Sequence, residues 1–303
     1  MSAFSPLVRY FEEVAEQKSI RRAAERLHIA PSAVTRQIAK FEDMLGMPLF
    51  ERLPRGVRLT SAGEIMLANV RRMRRDFGGA LGQIDALKGM RRGKVRLGIL
   101  QYMGSQLIPD LIADVNRDHP GVSFTVISAN TPEIVDKVSS GELDIGMCWA
   151  APAAAPVRRV QSFPVALGLV VPPRHEWARR KSLPLSECLE QPLILPTPDN
   201  EPRRMIDSAL RGGAESLHLL AETNSMATMA RLVLAGAGVA VMTHVTVAEE
   251  IRNGTLVHVP LSDRGLQGLK LELLVRADRT LAPMVALVLD LIELRFDSYT
   301  GRG

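Results

Sequence analysis

Apolar residues near the start of the chain recur at the three- and four-residue spacing of an amphipathic helix. This spacing predicts a first helix that ends near Gln17 and Lys18, with apolar positions at Leu7, Tyr10, Phe11 and Val14. A second helix is predicted from Arg21 to Leu27, after Ser19, whose hydroxyl can cap it. Residues 28–30 then turn the chain, and Pro31 begins a third helix at a position where its missing N–H costs nothing. The pattern is helix, turn, helix.

The third helix has one apolar and one polar side. Its buried positions are predicted to be Val34, Ile38, Phe41 and Leu45, and it ends at Gly46. Its outer side presents Ser32, Thr35, Arg36, Gln37 and Lys40. Because Ala23 and Ala24 are small, the second helix can cross the third closely.

Residues 51–60 alternate apolar and basic side chains around Pro54, Arg55 and Gly56, which predicts a strand-turn-strand hairpin. The hairpin carries Arg52, Arg55 and Arg58. In a winged helix-turn-helix such a hairpin lies beside the recognition helix, where arginines can contact phosphates or enter the minor groove.

From Ala62 to about Gly89 the pattern predicts one long helix. Its apolar residues alternate at spacings of four and three, as in a coiled-coil seam: Met66, Val70, Met73, Phe77, Ala80, Ile84 and Leu87. Such a seam predicts dimerisation. The alternative is a helix that packs on the domain that follows it in its own chain.

After a predicted hinge at Arg91, Arg92 and Gly93, strand and helix patterns alternate, which predicts an α/β domain with mainly parallel strands. The predicted strands are 94–100, 122–128, 143–149, 166–172, 193–196 and 238–242. The predicted helices are 106–118, 132–140, 201–210, 225–235 and 282–296.

Positive charge is concentrated at the N-terminus. Residues 1–92 hold 17 Lys and Arg against 10 Asp and Glu, a net charge of +7, whereas the remainder holds 21 against 23, a net charge of −2. This asymmetry is expected when one module meets a polyanion and the other does not. Together with the helix-turn-helix, the wing arginines and the seam, it indicates a DNA-binding protein.

Other classes of function find little support in the sequence. The six histidines are scattered, neither HExxH nor GxSxG is present, and Cys148 and Cys188 have no CxxC or histidine partner, so we expect no catalytic or metal site. A thiol switch at either cysteine is weakly motivated. No apolar run approaches a membrane span and the start lacks a signal-peptide pattern, so we expect a cytoplasmic protein.

The chain resembles the LysR-type transcriptional regulators. The N-terminal similarity is carried by Ser19, Ala23-Ala24, Leu27, Ala33 to Ile38, Glu42, Leu45-Gly46, Leu49-Phe50, Arg52, Leu59-Thr60 and Ala62-Gly63. Later landmarks of the family are similar to Leu107-Ile108-Pro109, His119 to Val122, Gly141 to Ile145 and Ala235 to Val239.

The resemblance implies an all-α winged helix-turn-helix at residues 1–61 and a dimerising linker helix with a hinge at 62–92. It implies an α/β effector domain at 93–303, formed by two Rossmann-like subdomains of the type II periplasmic-binding-protein kind. The first subdomain would comprise about 93–163 and 267–303, and the second about 164–266. The implied protein is a homodimer or homotetramer that binds double-stranded DNA and a small-molecule effector, contacts RNA polymerase, and uses no cofactor.

The predicted DNA-contacting residues are Arg21, Ser32, Thr35, Arg36, Gln37, Lys40, Arg52, Arg55 and Arg58. Family members often have Ser-Gln-Pro where this chain has Ala30, Pro31 and Ser32, so a glutamine that could bind adenine is absent. Base recognition must then depend more on Ser32, Thr35, Arg36 and the wing. Arg21 either contacts phosphate or is merely solvated.

The effector is expected in a crevice between the subdomains, and its contacts are expected where strands give way to helices. The candidates are Gln101, Tyr102, Met103, Gly104, Ser105, Ser128, Asn130, Thr131, Thr197, Thr223, Asn224 and Ser225, with Tyr102 and Thr197 preferred. Free N–H groups at helix starts favour an anionic ligand. For each hydroxyl or amide, a helix cap is the competing interpretation.

Two other functions remain open at this stage. One is an enzyme or solute-binding protein with an accessory N-terminal helical domain. The other keeps the DNA-binding module but makes the large domain only a platform for oligomerisation.

Overall fold

A computed structural model describes residues 5–54, 56–87, 92–101, 103, 107–210, 217–278 and 280–299. The chain divides between Leu81 and Gly82 into two compact units. The first contains α1 (Pro6–Gln17), α2 (Ile20–Leu27), α3 (Pro31–Leu45), β1 (Phe50–Leu53), β2 (Gly56–Leu59) and most of α4 (Ser61–Leu87).

Local signals set the ends of the first three helices. The Ser5 and Ser19 hydroxyls accept hydrogen bonds from the backbone N–H groups of Leu7 and Arg22. Gly46 ends α3 in the left-handed conformation, at φ 69°. The helix-turn-helix and its caps are therefore confirmed.

The hairpin of β1 and β2 is anchored to the helices at two places. The Glu42 carboxylate on α3 accepts hydrogen bonds from the backbone N–H groups of Leu49, at 2.7 Å, and Phe50, at 3.1 Å. Gly56 has φ +113°, and a Cβ there would lie 2.4 Å from the Lys18 carbonyl oxygen. Only glycine fits where the wing meets the loop between α1 and α2.

The core of the first unit joins all of its helices to the wing. Phe11 is fully buried, with its ring centroid 5.7 Å from that of Phe41 and 5.4 Å from that of Phe50. Ala23, Val34, Ile38, Leu49, Val57 and Val70 belong to the same cluster.

The second unit holds two five-stranded sheets. The first subdomain contains the sheet ordered β4-β3-β5-β12-β6, and the second subdomain contains the sheet ordered β11-β7-β10-β8-β9. The strands of the first are β3 (Arg92–Ile99), β4 (Gly121–Ser128), β5 (Ile145–Trp149), β6 (Val157–Pro164) and β12 (Lys270–Arg276). Those of the second are β7 (Leu167–Val171), β8 (Leu193–Pro196), β9 (Leu219–Thr223), β10 (Val239–Thr243) and β11 (Val257–Pro260).

Helices cover these sheets. The first subdomain has α5 (Leu107–Asp118), α6 (Thr131–Ser139) and α10 (Pro283–Tyr299), and the second has α7 (Glu201–Ala209), α8 (Met226–Leu234) and α9 (Ala248–Arg252). Alternate residues of the second sheet face opposite sides: Leu193 packs in the same cluster as Ile206 of α7, whereas Ile194 packs with Val233 of α8. Each subdomain thus has its own core.

The structure corrects the sequence-based prediction in three respects. Arg92 and Gly93 begin β3 instead of forming a hinge. Both sheets are mixed, because β12 is antiparallel to β5 and β6, and β7 is antiparallel to β10 and β11. The strands β6, β9, β11 and β12 were not predicted, since β6 and β9 are largely exposed, β11 is short, and β12 is an almost uninterrupted buried run without alternation.

The chain crosses between the two subdomains twice. It passes from the first to the second between Pro164 and Leu167 and returns between Pro260 and Lys270. The two crossing segments are hydrogen-bonded, with the Val165 N–H donating to the Leu269 carbonyl at 2.9 Å. Within the described residues, no helix is both long and apolar enough to cross a membrane.

Candidate nucleic-acid interface and ligand cavity

The polar side of α3 is open to solvent. Ser32, Arg36 and Lys40 are exposed, whereas Thr35 and Gln37 are half-buried. No side chain caps the start of α3, and Pro31 occupies its first turn. The Thr35 hydroxyl donates to the Pro31 carbonyl at 3.0 Å, so its proton is used within the helix while its oxygen can still accept. Among the exposed side chains on this side of α3, Arg36 is the positively charged one nearest the start of the helix.

Two of the predicted DNA-contacting arginines have carboxylate partners. Arg58 pairs across the hairpin with Glu51, at 2.6 Å between Nη2 and Oε2, and this hydrogen bond raises the pKa of Arg58. Arg21 pairs with Glu25 at 3.3 Å on α2. Both pairs are largely exposed, so a phosphate can compete for either arginine. Arg52 is exposed, and Arg55 lies outside the described residues.

The predicted seam of α4 divides into two parts. Val70 is buried in the core of the first unit and Met66 packs against that core, so these two side chains are covered by their own chain. Their assignment to the seam is corrected accordingly. Met73, Phe77, Ala80 and Ile84 are exposed, whereas the side chain of Leu87 is not among those described. The apolar surface left for a partner thus begins at Met73.

A cavity of about 380 Å³ lies between the two subdomains. Its lining comes from the segment after β3, the starts of α5, α8 and α9, the segment after β10, and α10. The lining residues are Gln101, Met103, Leu107, Ser225, Met226, Ala227, Ala230, Val245, Thr246, Ala248, Glu249, Glu250 and Phe296.

The cavity includes three of the predicted effector contacts. These are Gln101, Met103 and Ser225. Tyr102, Gly104 and Ser105 lie outside the described residues. Ser128, Asn130, Thr131, Thr197, Thr223 and Asn224 do not line this cavity, and their role as effector contacts stays a prediction.

Two of the predicted contacts, Asn130 and Ser225, cap helices, and Ser225 also lines the cavity. Asn130 Oδ1 accepts a hydrogen bond from Glu133 N at 3.0 Å, and Ser225 Oγ accepts one from Thr228 N at 3.2 Å. Thr223 Oγ1 accepts one from Ser225 N at 3.1 Å. The competing interpretation, a helix cap, is therefore confirmed for Asn130 and Ser225, whereas Thr223 accepts its bond in the turn that precedes α8.

The remaining lining residues have no distinguishing pattern in the sequence. Leu107, Ala230 and Phe296 occupy apolar positions of helices that pack into a core. The same spacing is expected whether such a residue packs in a core or lines a cavity. Glu249 and Glu250 resemble ordinary acidic residues of a helix start. A pocket assembled from segments far apart in sequence leaves no local pattern.

Neither cysteine is suited to redox sensing. Both are buried, and burial raises the pKa of the Cys148 thiol and of the Cys188 thiol to about 12 in each case. The thiolate is the reactive form, and it is scarce at neutral pH when the pKa lies so high. The described residues contain no group of three or more side chains able to hold a metal ion.

Comparison with known proteins identifies both units. A family profile described as "Bacterial regulatory helix-turn-helix protein, lysR family" matches residues 6–64, and one described as "LysR substrate binding domain" matches residues 88–296. The transcriptional regulator CbbR of Rhodospirillum rubrum is 27% identical over 278 residues, which cover 90% of each chain. An uncharacterised HTH-type regulator of Bacillus subtilis, YybE, is 29% identical over 233 residues, 77% of this chain and 80% of its own.

Solved structures share the fold. Full-length OxyR C199D from Pseudomonas aeruginosa superimposes with a TM-score of 0.70 at 24% identity, covering 95% of this chain and 94% of its own. Full-length CbnR in complex with its target DNA gives a TM-score of 0.63 at 21% identity, with 98% of each chain covered.

Proposed function

Since the chain belongs to the LysR family of bacterial transcriptional regulators, which are not enzymes, we propose that it binds a specific operator and that a small molecule between its subdomains controls it. The first unit would bind duplex DNA through α3 and the wing. The second would bind the effector. This protein would act in the cytoplasm and contact RNA polymerase at the promoter.

The observation that supports a sensing role is the position of the cavity. It is lined by both subdomains, and in the described part of the chain two segments cross between these subdomains. A ligand that touches both walls binds their closed arrangement better than an open one, and this difference in affinity is what shifts a conformational equilibrium. Through the oligomer, such a shift would change the spacing of the DNA-binding units and the bending of the operator.

Filling the cavity should abolish the response to ligands. Ala227 is exposed on α8 and lines the cavity, so Ala227→Trp places an indole in the space that a ligand would occupy. In a thermal-shift screen of small amines, carboxylates and aromatics, a ligand at about 100 times its Kd stabilises the wild type by about 2.7 kcal/mol, roughly 5–10 °C in Tm. We expect Ala227→Trp to lose this shift and to retain DNA binding.

Leu234→Trp is the matched control. Leu234 lies on the same helix, is 40% exposed and does not line the cavity, so this variant should respond like the wild type. A screen without hits would favour a domain that serves only for oligomerisation. Hits that persist in Ala227→Trp would contradict the assignment of the effector to this cavity.

We further propose that α4 mediates dimerisation and that dimers assemble into a tetramer. Along α4, Met73, Phe77 and Ile84 are 47%, 43% and 48% exposed, and their spacing is that of a coiled-coil seam. Three apolar side chains that each expose more than two fifths of their surface form an apolar stripe of the kind that marks an interaction surface. A second α4 would cover them.

A charge in this stripe should separate the protomers. Phe77→Glu buries a carboxylate in the proposed interface, and we expect light scattering at micromolar concentration to show a smaller species than the wild type. Affinity for a two-half-site duplex should fall at least tenfold, about 1.4 kcal/mol, because the half-sites are no longer bound together. Ile65→Glu is the control, since Ile65 is 66% exposed on the same helix but outside the stripe. An unchanged mass for Phe77→Glu would contradict the proposed interface.

A further inference from the structure

Glu42 joins α3 to the wing through a single oxygen atom. It lies in the last turn of α3, and it is half-buried. Its Oε1 accepts hydrogen bonds from the backbone N–H groups of Leu49, at 2.7 Å, and Phe50, at 3.1 Å, where β1 begins. Hydrogen bonds to a carboxylate are shorter and roughly twice as strong as those between neutral groups. The base of the wing is therefore fastened directly to the helix that is expected to enter the major groove.

The hairpin itself leaves these two N–H groups free. The Thr60 N–H donates to the Leu49 carbonyl at 3.0 Å. In an antiparallel ladder this bond makes the next pair, Phe50 and Leu59, one without hydrogen bonds between its members, so the Phe50 N–H points away from β2. Leu49 is buried, and a buried N–H needs an acceptor within the protein. Glu42 thus supplies an acceptor that the strands do not.

The same helix carries the side chain that is expected to contact bases. Arg36 precedes Glu42 by six residues on α3, about 9 Å along the helix axis. Arg52 follows Phe50 by two residues on β1. Because Glu42 holds the start of β1, it also fixes where Arg52 lies relative to Arg36. The groups of one binding surface must be held within about 0.5 Å of their productive positions to act together.

Other contacts keep the wing folded when this anchor is removed. Leu49 and Val57 are buried in the core of the first unit. The Val57 N–H donates to the Lys18 carbonyl at 3.1 Å. These contacts tie the wing to the core and to the loop between α1 and α2. Loss of the Glu42 carboxylate is therefore expected to loosen the wing against α3 without unfolding it.

We propose that Glu42 is a positioning residue for DNA recognition, which holds the wing where Arg52 and Arg36 reach the same duplex together. This inference rests on the proposed function, in which α3 and the wing bind DNA. It requires a hydrogen-bond acceptor at this position and not a negative charge. The charge by itself opposes binding because it repels phosphates, so its removal alone should raise the affinity for DNA.

A double-mutant cycle between Glu42 and Arg52 tests the positioning role. The affinity of the full-length protein for a duplex selected from a random pool is measured by fluorescence anisotropy at one salt concentration. We expect Arg52→Ala to weaken binding at least about fivefold in the wild-type background. Glu42→Leu has nearly the same size but no acceptor, and it should itself bind at least about fivefold more weakly. In that background Arg52→Ala should weaken binding by less than about twofold.

Glu42→Gln separates the acceptor from the charge. Its amide oxygen can still accept from both N–H groups, so the full effect of Arg52→Ala should return, with an affinity equal to or above that of the wild type. Asp43→Leu is the matched control, since Asp43 is the neighbouring carboxylate on α3 and is exposed. It should also keep the full effect of Arg52→Ala.

An undiminished effect of Arg52→Ala in Glu42→Leu would overturn the inference, as would loss of that effect in Glu42→Gln. The inference also fails if Arg52→Ala has no effect in the wild-type background, whereas the proposed DNA-binding function is judged separately by Arg36→Ala. Circular dichroism shows whether each variant is folded. If Glu42→Leu is not, Glu42→Asp replaces it with the same expected results, because its shorter side chain keeps the charge but does not reach the wing.

Discussion

Phe11→Ala is expected to destabilise the DNA-binding unit by about 3–5 kcal/mol, the cost of removing a fully buried phenylalanine. Phe11 joins three parts of this unit, since its ring packs against Phe41 on α3 and Phe50 at the wing. A small unit has only about 5–15 kcal/mol of stability. Much of the population should therefore lose the arrangement of α3 and the wing, and affinity for DNA should fall with it.

The distribution of tryptophans allows the two units to be followed separately. The two tryptophans of the chain, Trp149 and Trp177, both lie in the second unit. In urea, we expect the fluorescence transition of Phe11→Ala to match that of the wild type, while far-UV circular dichroism shows an added early loss of helix. Phe11→Leu, which keeps most of the apolar volume, should cost under about 1.5 kcal/mol. If Phe11→Ala bound DNA as tightly as the wild type and showed an unchanged circular dichroism transition, the proposed role of this core would be contradicted.

Arg36→Ala is expected to weaken binding to a specific duplex by about 1–3 kcal/mol, roughly 5- to 150-fold in affinity. Arg36 is exposed on the outer side of α3, in the first turns of the helix, where side chains of a recognition helix reach base edges. If Arg36 binds a guanine, the loss should be larger for the specific duplex than for an unrelated one. If it contacts only phosphate, the loss should be smaller and equal for both duplexes.

Arg174→Ala removes the same charge from an exposed position of the second unit and serves as the control. It should leave the difference between specific and unrelated duplexes unchanged. Fluorescence anisotropy at a fixed salt concentration measures the affinities of the wild type and of both variants for the two duplexes. No loss in Arg36→Ala would remove this residue from the set of DNA contacts.

The N-terminal unit could be predicted closely because its signals are local. Ser19, Pro31 and Gly46 mark helix ends through contacts within a few residues, and the structure places the ends within about two residues of the prediction. The heptad pattern of α4 was less informative. Apolar spacing shows that a face is buried but not what covers it, and Val70 is covered by its own domain.

The effector unit was predicted less completely because its missing parts depend on distant contacts. β12 pairs with β5 although more than 100 residues separate the two strands in sequence. The Ala151 N–H donates to the Glu272 carboxylate over a similar separation. The cavity depends on packing between two subdomains, and its walls look like core in the sequence. Polar residues after strands were favoured as contacts, yet Asn130 and Thr223 cap or stabilise local turns.

Selection of bound duplexes from a random pool, followed by titration of the enriched sequence at several salt concentrations, tests the central claim most directly. The account predicts a partly symmetric motif with two half-sites. It also predicts an affinity that falls at least about 100-fold between 50 and 200 mM salt, because several phosphates are neutralised. Failure to enrich any sequence, or binding that does not depend on salt, would contradict the assignment of this chain as a sequence-specific DNA-binding regulator.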